Sequence, residues 1–250
     1  MPRGRRVRLR ARPAPRTLAV VVAVPLVLAG AYVAARETST FAIRSVSVDG
    51  GTPAVQAQVQ AAVEPFVGKS LLALDGRAIV RRVDALPTVV SASYDRAFPH
   101  TLRISVVPER PVAVLRRGLG SWLLSARGRA IARLAGGARP ALPRVWVPTT
   151  VQVAAGTFLA PEDGAIAARA LALASGFPAR ISTAAFAHGE LAFRLRSGLE
   201  LRLGEPTDLR LKLAVARRAL RLLPVGTTYL DVAVPQRPVA GADSQLSGKA

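Results

Sequence analysis

Hydrophobic positions along this chain keep three different rhythms. The first is an unbroken apolar run from Thr17 to Ala35, 19 uncharged residues bracketed by Arg16 and Arg36. As a helix it extends roughly 28 Å at about 1.5 Å per residue, close to the ~30 Å thickness of a bilayer's hydrocarbon. A transmembrane helix at 17–35 is therefore expected, and Pro25 within it is tolerated better in a membrane than in water. A cleaved signal peptide is the competing reading, with Leu18–Leu28 as its apolar region and Ala29-Gly30-Ala31 as a small-x-small cleavage site. Continuation of the run to spanning length favours retention.

The second rhythm, from about 41 to 111, alternates strand and helix. Ile43–Val48 reads as a strand closed by the turn Asp49-Gly50-Gly51. Thr52 followed by Pro53 is a helix start, a capping oxygen before a proline at the first helical position, and that helix runs to about Val63. Asp75 caps a second helix, in which Ile79, Val83 and Leu86 share one face at i, i+4, i+7. Val90, Ala92 and Tyr94 then alternate with Val89, Ser91 and Ser93. After a turn at 96–100, Leu102, Ile104 and Val106 alternate with Arg103 and Ser105. These are two half-buried strands of a hairpin. Strand, helix, helix, strand, strand predicts a three-stranded sheet with two helices on one face.

The third rhythm, from 112 to about 238, is mostly β. Short strands are expected at 112–116, 121–125 and 144–147. A helix is expected from Pro161, with Glu162 and Asp163 favouring its positive end, to Gly176. Next comes an antiparallel meander at 181–187, 190–196 and 199–203, with the two-residue turns His188-Gly189 and Ser197-Gly198. A second helix carries Leu209, Leu213, Ala216, Leu220 and Leu223 on one stripe, and Thr228–Val234 is the last strand. The class is α+β, the last domain mixed α/β with an antiparallel sheet, and a disordered tail is expected at 239–250.

Charge sharpens the first rhythm. Of 35 basic residues, against 15 acidic ones, seven arginines lie in the first 16 positions. Arg36 and Glu37 beyond the run form a neutral pair. The positive-inside rule then keeps the basic tail 1–16 in the cytoplasm and sends the rest across, a single-pass type II arrangement touching the plasma membrane. The remaining basic residues are dispersed and accompany no nucleic-acid-binding motif, so no nucleic-acid partner is expected.

Catalytic chemistry is hard to assemble from these residues. Without cysteine there is no disulfide, thiolate nucleophile or Cys-ligated zinc. Gly68-Lys69-Ser70 matches only the end of a phosphate-binding loop, since Val63 stands where the first glycine belongs. His100 and His188 lie in turns about 90 residues apart, too distant in sequence for a metal-ligand pair at useful spacing. There is no Gly-x-Ser-x-Gly elbow. No catalytic, cofactor or metal residues are assigned, and the chain is expected not to be an enzyme.

The stretch Phe98-Pro99-His100-Thr101-Leu102-Arg103-Ile104-Ser105-Val106, continuing into Glu109-Arg110-Pro111-Val112-Ala113, resembles the exit strand of the POTRA domain in the bacterial cell-division family FtsQ, called DivIB in some lineages. Ser197 to Gly204, Lys212 and Asp231 form a second similar block. Ser125 with Gly128, and Ala233, depart from residues the family often carries. The resemblance implies a basic tail at 1–16, a span at 17–35, a POTRA domain at 41–111 and a β-domain at 112–238. It also implies a scaffold at the division septum that holds FtsB- and FtsL-type proteins and, through them, the septal peptidoglycan synthase. A strand at the edge of a sheet offers unpaired backbone groups to a partner segment. On that ground Tyr229, Leu230, Asp231, Val232, Ala233 and Val234 are the expected partner-binding residues.

Overall fold

The computed structural model describes the backbone of residues 15–37 and 39–242, with side chains from 23 to 36 and 39 to 242. Most of the basic tail at 1–16 and the end of the expected tail at 239–250 lie outside these residues. Helix α1 (Pro15–Glu37) takes in the whole expected span and includes Pro25. Among the described residues no helix is long and apolar enough to cross a membrane. The side chains at the start of the run, through residue 22, fall outside that description.

The first module forms as its pattern predicts. Strand β1 (Ser45–Asp49) leads to α2 (Pro53–Val63), whose Thr52 hydroxyl accepts from the Val55 N–H at 3.4 Å. The Asp75 carboxylate accepts from the N–H groups of Arg77 (2.9 Å) and Ala78 (3.3 Å) and so starts α3 (Gly76–Asp84). Strands β2 (Val89–Ala97) and β3 (Thr101–Pro108) form the hairpin, with a cis Phe98–Pro99 peptide in its turn. The sheet order is β1-β3-β2, with β1 parallel to β3. On β3 the expected alternation holds: Leu102, Ile104 and Val106 are buried, whereas Arg103 and Ser105 are exposed. A register shift between Val89 and Ser91 puts Val89 inward together with Ala92 and Tyr94, which strict alternation forbids. The Tyr94 ring packs directly on Gly76, where a Cβ would lie 1.8 Å from it and would force the ring to move. Gly68-Lys69-Ser70 is structural: the Ile43 N–H donates to the Lys69 carbonyl and the Gly68 N–H to that of Ile43.

The second module is one nine-stranded sheet. Its strands are β4 (Pro111–Arg117), β5 (Gly120–Ser125), β6 (Ala130–Arg133), β7 (Arg144–Trp146), β8 (Ile181–Ala187), β9 (Glu190–Leu195), β10 (Glu200–Gly204), β11 (Tyr229–Asp231) and β12 (Val239–Gly241). They are ordered β12-β11-β10-β9-β8-β7-β4-β5-β6. Helices α4 (Ile166–Leu173) and α5 (Leu209–Ala219) bury their apolar faces in the same cluster as Leu115, Val145, Phe193, Leu201 and Leu230.

Several expectations are corrected here. The sheet is mixed, because β4 with β7, β7 with β8 and β10 with β11 all pair in parallel. The connections from β7 to β8 and from β10 to β11 carry helices α4 and α5, the long crossovers that parallel neighbours need. The helix expected from Pro161 is interrupted at Asp163 and Gly164, whose φ is +115°, so regular α-helix begins only at Ile166. Strand β6 was not expected. Nor was β12, which occupies the first residues of the expected disordered tail: the turn between Pro235 and Pro238 brings Val239–Gly241 back beside β11.

Candidate functional site

At one end of the long sheet, Tyr229 to Val234 do not form the edge. Strand β11 lies between β10 and β12, with Tyr229 opposite Gly241, Leu230 opposite Ala240 and Asp231 opposite Val239. The Val232 N–H donates to the Arg202 carbonyl (2.9 Å), and the Thr228 carbonyl accepts from the Glu200 N–H (2.9 Å). Leu230 and Val232 therefore turn their backbone groups toward β10 and Tyr229 and Asp231 toward β12, while Thr228, just before the strand, bridges both sides by also donating its N–H to the Gly241 carbonyl (2.9 Å). Carried across the antiparallel pair, the alternation points the N–H and C=O of Ala240 outward.

The side chains divide just as clearly. Leu230 and Val232 are fully buried and belong to the core. The Tyr229 ring lies 4.6 Å from the Arg202 guanidinium, which also bonds Glu200 at 3.0 Å. Asp231 closes a local turn by accepting from the Ala233 N–H at 2.8 Å. Of the six only Val234, at 56%, is strongly exposed, as is Val239, at 53%, after the turn. Lys212, buried on α5, donates to the Glu205 carbonyl (2.8 Å) and ties the helix to the end of β10. Of the six residues expected to bind a partner, four thus support an edge that Val239–Gly241 supplies. The signal for β12 in the sequence is thin, three small residues after a proline.

A second feature lies where the two modules join. Arg129 is buried and crosses from the β5–β6 turn into the first module, donating to the Val89 carbonyl at 2.8 Å and to the Gly156 carbonyl at 3.2 Å. Its guanidinium and that of Arg127 each lie 5.3 Å from the Phe158 ring. Arg127 stands 3.7 Å from Glu109, whose side chain is buried as β3 hands over to β4. The turn itself is held by Ser125, whose hydroxyl accepts from the N–H groups of Arg127 (3.3 Å) and Arg129 (3.2 Å). Gly128 sits at φ +76°, where a Cβ would lie 2.6 Å from that of Ala165. Here the departure at Ser125 has a structural role. Among the described residues, no group of three or more His, Asp or Glu is placed to hold a metal ion.

A β-α-α-β-β module is thus joined through a buried arginine bracket to a long mixed sheet that is open at β12. The family described as "POTRA domain, FtsQ-type" matches residues 41–109. The cell division protein FtsQ of Streptomyces venezuelae is 29% identical over 117 residues, which cover 46% of this chain and 42% of that relative. The match thus spans less than half the length of the relative. The chain carries an FtsQ-type POTRA domain, and its resemblance to the FtsQ/DivIB family is supported by both comparisons.

Proposed function

We propose that this chain is a non-catalytic scaffold of bacterial cell division, anchored by residues 17–35 with its tail in the cytoplasm and its two modules outside. It holds FtsB- and FtsL-type partners, and through them the septal peptidoglycan synthase, at the division septum. The similarity to a cell division protein supports the process. The observation that carries the partner reading is the open end of the sheet, where a short, exposed β12 presents Ala240's outward backbone groups beyond β11. A partner segment adds there as a further strand, with main-chain hydrogen bonds supplying affinity and alternate side chains supplying selectivity. Tyr229 to Val234 are then the strand and turn that hold β12 in place.

Ala240→Pro tests this most directly. It removes an outward N–H without touching the β11–β12 bonds, and an edge strand tolerates proline. Capture of an FtsB-type partner in a pull-down should be lost while circular dichroism stays unchanged; undiminished capture rejects strand addition at this edge. Val232→Pro also abolishes capture, but by breaking the Arg202–Val232 bond and so the sheet end itself. A fluorescent fusion should form a mid-cell band, and a reporter at the C-terminus should be active only outside the cytosol. Activity inside overturns the anchored arrangement.

A further inference from the structure

The helix-free face of the long sheet carries a cleft of about 610 Å³ under the loop after β6. Four arginines line it: Arg116 from β4, Arg133 from β6, Arg139 from the loop and Arg144 from β7. No carboxylate is among its lining residues, and among the described residues none of the four is paired with one. Elsewhere on the same sheet a carboxylate does stand among the cations, with Glu200 between Arg194 and Arg202. Arginines stay charged at any physiological pH, so four in one cleft repel each other unless an anion joins them.

The fourfold charge is held in place by other contacts. Arg116 donates through Nη1 to the Ser121 hydroxyl at 2.6 Å and lies 5.4 Å from the ring of Trp146, while Arg133 lies 5.9 Å from that of Trp122. The Nε of Arg116 is buried with no hydrogen-bond partner. An unsatisfied charged donor beneath the cleft wall is costly and adds to the positive potential that favours a bound anion. Trp146, 58% exposed, leaves an aromatic surface at the cleft wall.

We infer that this cleft binds a phosphoryl-rich ligand, a pyrophosphate or its ester. Guanidinium forks match phosphoryl oxygens in pairs. One pyrophosphate concentrates in a single small group the negative charge that a peptide would need several acidic side chains to deliver. The inference is independent of partner docking at β12 and of the membrane anchor.

The test uses the full chain in neutral detergent micelles at about 0.15 M salt, where exposed charges more than ~8 Å apart are largely screened. Of the chain's two tryptophans, Trp146 lines the cleft and Trp122 lies 5.9 Å from the lining Arg133, so fluorescence reports binding. Inorganic pyrophosphate should give a saturable change, and citrate, a carboxylate of comparable charge, a much weaker one. Arg139→Gln and Arg144→Gln, both at exposed positions, should each weaken pyrophosphate binding by roughly ten-fold. Arg210→Gln, an exposed arginine of α5, should leave it unchanged. Absence of saturation, an equal response to citrate, or an equal loss in Arg210→Gln each overturns the inference. Repeating the titration with phosphatidylglycerol vesicles identifies the source. Competition assigns the phosphate to a lipid headgroup, its absence assigns it to a soluble or polymer-borne ligand, and both results support phosphoryl recognition.

Discussion

The POTRA module and the long sheet differ in how far apart in sequence their partners lie. In the POTRA module the hairpin β2–β3 and the capped helices α2 and α3 are local structures, and one strand pairing, the parallel one of Ser45–Asp49 with Thr101–Ser105, reaches across the module. In the long sheet, β4 pairs with β7 and β10 with β11 across intervening loops or helices, and β12 must return around a proline turn to find β11. A module of local contacts announces itself in the chain's periodicity. A module of distant pairings does not.

The sharpest way to break this comparison is Phe193→Ala, which empties a fully buried position in the centre of the long sheet. It should cost about 3–5 kcal/mol. Urea unfolding should then show the sheet melting well before the POTRA module. Arg129→Met leaves the Val89 and Gly156 carbonyls without their buried donor and should cost about 1–3 kcal/mol. Its distinguishing mark is weakened coupling, with the transitions of both modules shifting, not that of one alone, by fluorescence and circular dichroism. Gly128→Ala meets both a left-handed backbone and the Ala165 Cβ and should lower stability by about 1–3 kcal/mol, seen as a lower melting temperature of the sheet alone. Asp75→Ala removes a helix cap from the POTRA module and should cost about 1 kcal/mol, confined to the POTRA transition. Smallest is Arg81→Ala. Its 3.8 Å pair with Asp75 is solvent-exposed, with 70% and 64% of the side chains accessible. The change should stay below about 0.5 kcal/mol; a larger one would mean the helix depends on that pair.

Sequence alone determined the features that depend on neighbours a few residues apart. Thr52 and Asp75 fixed where α2 and α3 begin, because a capping oxygen needs only the next turn of backbone. Leu102, Ile104 and Val106 fixed the buried face of β3, because side chains alternate along any strand. The strand at Thr228–Val234 was legible too, from its β pattern and the prolines after it, but the edge expected there belongs to β12. Only the tertiary structure decided that Val239–Gly241 takes the edge, that Arg129 bonds a carbonyl 40 residues earlier in the chain, and that four scattered arginines share one cleft. Those outcomes depend on which distant segments meet, and no local pattern encodes a meeting that the fold of the intervening chain has to arrange.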